Sequence, residues 1–129
     1  MAKIEANNAG CSEAIMLDTQ GFVAECTGDN IFIVKNDLLS TPSQGRLRGI
    51  TRDTVLELAV KHKIKFFEGY ITRHEIFNAD ECFLTGTAAE IIPVVKVDGR
   101  LIGGGKPGSH TQKMMDLFKE ITRQEGVKY

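Results

Sequence analysis

Short runs of hydrophobic residues, separated by polar and glycine-containing turns, follow one another along this chain. Residues 31–35 are the clearest example, because they are rich in β-branched and aromatic side chains and are bounded by the turn formers Asn30 and Asn36. Tight turns are expected at residues 19–21 and 98–99, where they would join neighbouring strands into hairpins. By these criteria the predicted strands are residues 12–18, 22–25, 31–35, 38–41, 64–68, 81–85, 91–97 and 100–102.

Three later segments have the pattern of a helix. A central helix is expected from about Thr54 to about His62, and it should be well buried because its apolar residues are 55, 56, 58, 59 and 60. A short helix is expected at residues 72–77, with Thr72 as its cap and Glu75 closing a capping box. After a glycine-rich connector, the last helix should cover residues 109–125. The apolar face that it should pack on the sheet is formed by Met114, Met115, Leu117, Phe118 and Ile121.

The N-terminal residues 1–8 are also compatible with a helix, which Gly10 would end in a left-handed cap. A chain that begins inside a helix is expected to be part of a longer protein. Strands outnumber helices, and hairpins are mixed with helical crossovers, so the predicted fold class is α/β with a mixed, strongly curved sheet. The 129 residues are the size of one globular domain and contain no internal repeat.

Composition narrows the functional classes. Sixteen basic and seventeen acidic residues give a net charge of -1, so bulk charge does not favour binding to nucleic acid or to an anionic membrane. Cys11, Cys26 and Cys82 form no CxxC pair, which favours reduced thiols over a disulfide framework or a zinc site. No hydrophobic run approaches the length of a membrane span. We therefore expect a soluble, cytoplasmic protein.

The segment 44–53 has the features of a phosphate-binding loop. It places two glycines and Thr51 before the central helix, where free N–H groups at Ile50 and Thr51, the Thr51 hydroxyl, the helix dipole and nearby arginines would favour a bound phosphate. The simpler interpretation is an ordinary cap, in which Thr51 or Asp53 satisfies the first turn and the arginines are solvated. The segment alone leaves both interpretations open.

Two further turn segments follow predicted strands and offer small residues and backbone donors, as a site built on loops does. In order along the chain, the three segments are Ala24-Glu25-Cys26-Thr27-Gly28-Asp29-Asn30, Leu47-Arg48-Gly49-Ile50-Thr51-Arg52 and Thr85-Gly86-Thr87-Ala88-Ala89-Glu90-Ile91. This ordered set resembles the C-terminal half of the fold-type IV pyridoxal-phosphate enzymes, the class IV aminotransferases, and most closely the branched-chain amino-acid aminotransferases. The resemblance covers nearly the whole chain and implies a pseudo-barrel sheet with flanking helices.

The resemblance also implies roles for individual residues. Glu25 would face the pyridine nitrogen of pyridoxal 5'-phosphate, and Leu47 would pack on one face of the ring. Backbone N–H groups of Gly49, Ile50 and Thr51 would bind the phosphate. The remaining two site residues are Thr87, a second phosphate contact, and Ala88, whose N–H together with that of Thr87 would receive the substrate carboxylate. Without the resemblance, Glu25 would be interpreted as an exposed hairpin carboxylate and the other two motifs as ordinary loop packing or small-residue turns.

The Schiff-base lysine of the family, and the asparagine-tyrosine pair that follows it, have no counterpart in this sequence. The expectation is therefore a C-terminal domain, residues 1–129, of an enzyme that moves an amino group between leucine, isoleucine or valine and 2-oxoglutarate and that forms a homodimer or higher homo-oligomer. This part alone should be inactive. Two alternatives are another fold-type IV enzyme, acting on D-amino acids or aminodeoxychorismate, and a non-catalytic domain that binds a phosphate-bearing ligand. The histidines His62, His74 and His110 are interpreted as surface or capping groups, with no metal site.

Overall fold

The computed structural model describes residues 2–6, 12–17, 23–26, 30–42, 50–85 and 91–124, and it describes side chains for 30–42, 52–85 and 91–121. Within these ranges the chain forms nine strands and three helices. The strands are β1 Ala2–Ala6, β2 Ser12–Leu17, β3 Val23–Cys26, β4 Asn30–Lys35, β5 Leu38–Pro42, β6 Phe66–Gly69, β7 Glu81–Thr85, β8 Ile91–Val97 and β9 Arg100–Leu101. The helices are α1 Ile50–Lys61, α2 Arg73–Phe77 and α3 Ser109–Gln124.

All nine strands belong to one mixed sheet. Its order is β3-β2-β1-β8-β7-β4-β5-β6, and β9 pairs with β8 at the Asp98-Gly99 turn. The pairings are antiparallel except that between β5 and β6, which α1 connects as a parallel crossover. β3 forms one end of this order, yet it contacts β4 and β5 near the other end. The sheet must therefore curl strongly, which confirms the predicted mixed, curved α/β sheet.

Both faces of the central strands are covered, which is why β4 and β7 are almost continuously hydrophobic. On one face the rings of Phe32 and Phe83 stack with centroids 5.0 Å apart, beneath α1 and α3. On the other face, α2 and the segments around it complete a second cluster of buried residues. That cluster consists of Ile31, Ile33, Ile71, Ile76, Ala79, Cys82, Leu84, Val94, Val97 and Ile102.

Most predicted elements are present. The strands at 12–18, 22–25, 31–35, 38–41, 81–85 and 91–97 correspond to β2, β3, β4, β5, β7 and β8, with ends that differ by one residue at most. Thr72 and Glu75 form the predicted capping box of α2. The predicted face of α3 packs against β7, β8 and α1. The predicted turn at 19–21 lies outside the described residues.

Two predictions were wrong. Residues 2–6 are the strand β1 and not a helix, because they pair on one side with β2 and on the other with β8. The central helix α1 begins at Ile50, four residues earlier than expected, and Val60 is 66% exposed, so the helix buries only one face, at Val55, Leu58 and Ala59. The strand predicted at 64–68 is present as β6, but it begins two residues later and ends one residue later than predicted.

Among the residues that the structure describes, we find no helix with the length and hydrophobicity of a membrane span.

Candidate functional site

Four strand ends meet at one end of the sheet. The first residue of β4, Asn30, lies opposite the last residue of β7, Thr85, and Thr85 lies opposite the first residue of β8, Ile91. The end of β5 joins them, because the Thr41 hydroxyl donates a hydrogen bond to the Ile31 carbonyl oxygen (2.8 Å). We refer to this end, marked by Asn30, Pro42, Thr85 and Ile91, as the loop end of the sheet.

The loop end is where all three sequence motifs leave the sheet. Residues 27–29 connect β3 to Asn30, residues 43–49 connect Pro42 to α1, and residues 86–90 connect Thr85 to Ile91. The last residue of β3, Cys26, is four chain steps from Asn30, so the two Cα atoms are at most about 15 Å apart. The fold therefore gathers the flanks of three motifs that are far apart in the sequence.

The start of α1 lies at the same end. In the β5–α1–β6 crossover, Pro42 pairs with Gly69, and a side chain of the first turn of α1 reaches the Pro42 carbonyl oxygen. The first N–H groups of a helix have no acceptor within the helix, and its dipole favours an anion there. A loop that leads from a strand end into a helix N-terminus is a recurrent phosphate-binding geometry.

The predicted site residues divide into three groups. Ile50 and Thr51 are the first two residues of α1, so their N–H groups belong to its first turn, and neither Thr51 nor Asp53 occupies the cap position before the helix. Glu25 lies in β3, opposite Met16 of β2. The positions Leu47, Gly49, Thr87 and Ala88 lie outside the described residues.

The simpler interpretation, in which the arginines of this segment are solvated, is wrong for Arg52. Its side chain is only 3% exposed. Nη2 donates to the Glu68 carboxylate (2.6 Å) and to the Pro42 carbonyl oxygen (3.3 Å), while Nη1 lies 3.6 Å from Asp53 Oδ1. The guanidinium thus connects the first turn of α1 to the ends of β5 and β6.

Three buried polar side chains at this end have an atom without a hydrogen-bond partner among the described residues: Asn30 Oδ1, Thr85 Oγ1 and Arg52 Nε. Leaving such a group unpaired costs about 1–3 kcal/mol, so buried orphan atoms need an explanation, and functional sites are a common one. The positions of Asn30 and Thr85 at the edges of the motifs fit an end of the sheet built to hold a polar ligand, whereas the Arg52 guanidinium is already engaged through Nη1 and Nη2. Asn30 is the last residue of the first motif and Thr85 the first residue of the third, but sequence reasoning gave neither residue a role, because an asparagine before a strand and a threonine at its end are ordinary turn signals.

Two of the three histidines make structural contacts. His110 lies in the first turn of α3, where its N–H and the N–H of Thr111 donate to the carboxylate of Glu81 (3.2 and 2.7 Å), and its ring contacts the same carboxylate. His74 is exposed and contacts Asn78. The described residues contain no group of histidines, cysteines and carboxylates that could hold a metal ion.

A surface cavity of about 500 Å³ lies at the opposite end of the β4–β5 hairpin, between the hairpin and α2. Its lining includes Lys35, which pairs with Asp80, and Glu75, which is committed to the capping box. The cavity is therefore far from the three motifs and has few polar groups that are not already engaged.

The chain belongs to the class IV amino-transferase family. The model of that family, described as amino-transferase class IV, matches residues 1–97. At the level of sequence, the chain is 52% identical over 130 residues to a putative branched-chain-amino-acid aminotransferase of Methanocaldococcus jannaschii, with 99% of this chain and 45% of that protein covered. It is 48% identical over 122 residues to a branched-chain-amino-acid aminotransferase of Pseudomonas aeruginosa, with 94% and 40% covered.

Solved structures give the same result. A branched-chain amino acid aminotransferase from Thermobaculum terrenum, solved in its PLP-bound holo form, matches 87% of this chain and 38% of its own at a TM-score of 0.83 and 38% identity. One from the archaeon Thermoproteus uzoniensis, solved with norvaline, matches 84% of this chain and 36% of its own at a TM-score of 0.79 and 46% identity. The chain therefore spans less than half the length of the relatives it matches.

Proposed function

We propose that this chain is the cofactor-binding part of a branched-chain amino-acid aminotransferase that uses pyridoxal 5'-phosphate. The intact protein would move an amino group between leucine, isoleucine or valine and 2-oxoglutarate. The observation that carries the proposal is the convergence of the three motif flanks and the start of α1 on one end of the sheet, in a chain 52% identical to a protein of that name. The relatives named above do not favour a fold-type IV enzyme of other specificity or a non-catalytic domain.

The residues at this end fit the cofactor. Its phosphate needs hydrogen-bond donors and positive potential. We assign these to the N–H groups of Gly49, Ile50 and Thr51, to the Thr51 hydroxyl and to the N-terminal end of the α1 dipole. We assign a second phosphate contact to Thr87 and the packing against the ring to Leu47. When bound, pyridoxal phosphate supplies the electron sink for amino transfer, and the protein supplies orientation and electrostatics.

We propose that Glu25 faces the pyridine nitrogen. A carboxylate within a few ångströms of a basic nitrogen commonly raises its pKa by about 1–3 units, so Glu25 would hold a proton on the ring nitrogen. Its position in β3, close along the chain to the loop end, supports this assignment. The N–H groups of Thr87 and Ala88 are assigned to the substrate carboxylate, because small residues let a ligand approach the backbone closely.

We propose that the lysine that binds the cofactor covalently in this family lies in another segment of the intact protein, outside these 129 residues. We also propose that the protein works in the cytoplasm as a homodimer or higher homo-oligomer. Two observations support this setting: Cys82 is a free, buried thiol, and the large side chains of Phe67 and Tyr70 are about half exposed. Sedimentation of the intact protein would test the oligomeric state.

A comparison of two ligands tests the phosphate site. Pyridoxal phosphate and pyridoxal differ only in the phosphate, so the ratio of their dissociation constants isolates its contribution. Thr51→Ala keeps the backbone N–H and removes the Thr51 hydroxyl, which we propose as a further donor to the phosphate. In the intact apo-protein, we expect this variant to raise the Kd for pyridoxal phosphate about tenfold, the value of one hydrogen bond to a charged group, and to leave the Kd for pyridoxal unchanged. An equal change for both ligands, or none, would remove the Thr51 hydroxyl from the site.

A further inference from the structure

We infer that Arg52 is a positioning residue for the phosphate site: its buried guanidinium fixes the first turn of α1 against the ends of β5 and β6. The inference rests on the proposed binding of the cofactor phosphate by Gly49, Ile50 and Thr51. Arg52 would not touch the cofactor. It would set the direction of the N–H groups that do.

The side chain of Arg52 joins three secondary-structure elements, α1, β5 and β6. The two acceptors of Nη2, the Glu68 carboxylate and the Pro42 carbonyl oxygen, come from strands that pair with each other, since Thr41 lies opposite Glu68 and Pro42 opposite Gly69. Arg52 is the third residue of α1, directly after Ile50 and Thr51. Its side chain therefore ties the turn that begins α1 to the strand that ends at the loop end.

Two features argue against a direct role in anion binding. The side chain is almost wholly buried, and its charge already faces two carboxylates, those of Glu68 and Asp53. A cation so placed adds little net potential for a further anion. It can still orient the backbone, because a planar guanidinium that donates to two acceptors holds a fixed direction, whereas a lysine ammonium is a flexible point charge.

A purely structural role predicts a different outcome. If Arg52 only stabilised the β5–α1–β6 crossover, its replacement would lower thermal stability and weaken pyridoxal and pyridoxal phosphate binding alike. If it positions the first turn of α1, the phosphate contribution is lost selectively. The preference for the phosphorylated ligand therefore separates the two roles where stability alone does not.

The experiment uses the intact apo-protein and three variants. Arg52→Lys removes the planar fork, and Glu68→Gln weakens the same contact from a residue whose side chain is 40% exposed, so this variant should fold even if Arg52→Lys does not. Arg100→Lys is the matched control, because Arg100 lies over the Phe77 ring (4.8 Å) at β9. For each protein, the Kd values of pyridoxal phosphate and pyridoxal are measured by titration.

We expect Arg52→Lys to raise the Kd for pyridoxal phosphate about tenfold or more and the Kd for pyridoxal less than about twofold. Glu68→Gln should act in the same direction with a smaller change, and Arg100→Lys should change neither value.

Equal effects on both ligands, or no effect of Glu68→Gln and Arg52→Lys, would overturn the inference. If the wild-type protein binds both ligands equally well, the phosphate site itself is wrong and the inference falls with it. One outcome separates the two proposals. The wild type prefers the phosphorylated ligand and Thr51→Ala abolishes this preference, whereas Arg52→Lys and Glu68→Gln keep it. In that case only the role of Arg52 is wrong.

Discussion

Asn30 and Thr85 face each other across β4 and β7, both buried and each with a side-chain oxygen that has no hydrogen-bond partner among the described residues. Sequence alone placed both residues in the motifs but gave them no role, because their burial depends on pairing between strands that are far apart in the chain. Arg52 is a similar case. Its position in a basic segment favoured solvent or phosphate, and only the crossover fold brings Glu68 and Pro42 to it.

Glu81 is a buried carboxylate whose role we did not predict from the sequence. The signal available in the sequence was an acidic residue at the start of a hydrophobic strand. Glu81 is 8% exposed and accepts hydrogen bonds from the first turn of α3. We expect Glu81→Ala to lower the free energy of unfolding by about 2–3 kcal/mol, since it leaves helix N–H groups unpaired and removes a favourable charge at the helix start.

Chemical denaturation of the two proteins measures this loss. The exposed Glu57 on α1 offers the matched control, because Glu57→Ala should change stability by less than about 0.5 kcal/mol. Should both substitutions cost the same, Glu81 would have no special role in holding α3.

The role that we propose for Glu25 predicts a slower enzyme when this carboxylate is removed. In the intact enzyme, Glu25→Gln should retain bound cofactor but reduce kcat about tenfold or more, because the ring loses its anionic partner and only its electron demand changes. The measurements are cofactor content by absorption and turnover with leucine and 2-oxoglutarate. An unchanged kcat in a fully loaded, folded variant would exclude this role for Glu25.

At the scale of elements, the runs of hydrophobic residues and the turn residues predicted the strands well. These runs are clear because the central strands have both faces buried. The Asn36-Asp37 and Asp98-Gly99 turns confirm this local logic, since these residues adopt the positive φ angles that hairpin turns require. The Asn36 N–H also donates to Asp80 (3.0 Å), which lowers the pKa of that carboxyl. Local patterns failed at residues 2–6, where pairing with two neighbouring strands overrides helix propensity.

The glycine-rich segment after β9 packs on the backbone of Asp80, the residue before β7. Gly103 has φ of +57°, and a Cβ there would clash with the Asp80 carbonyl oxygen, whereas a Cβ on Gly99, with φ of +79°, would meet nothing within 4 Å. Gly99→Ala should therefore cost only the backbone strain, about 1–2 kcal/mol, and Gly103→Ala should cost clearly more. Urea denaturation compares them, and a Gly103→Ala variant as stable as Gly99→Ala would mean that the segment moves away from Asp80 freely.

At the scale of the whole molecule, the curled sheet explains how a chain without long-range sequence symmetry assembles one site. Antiparallel pairing brings the ends of β4, β7 and β8 together, and the parallel crossover adds the start of α1. Sequence reasoning reached the class and the motifs through the resemblance of three loops, because those loops depend on specific residues. The register of the strands that brings these loops together depends on packing across the entire sheet. A local sequence pattern contains no information about that packing.

The activity that we propose for the intact protein is the transfer of amino groups from branched-chain amino acids with pyridoxal phosphate. A half-reaction tests it most directly: the purified, cofactor-loaded protein is mixed with L-leucine in the absence of any 2-oxo acid. We predict that the bound cofactor is converted stoichiometrically to its pyridoxamine form, seen in its absorption spectrum, with release of 4-methyl-2-oxopentanoate, and that 2-oxoglutarate reverses the spectral change. If L-leucine, L-isoleucine and L-valine all leave the cofactor unchanged while a D-amino acid converts it, the proposed function is contradicted.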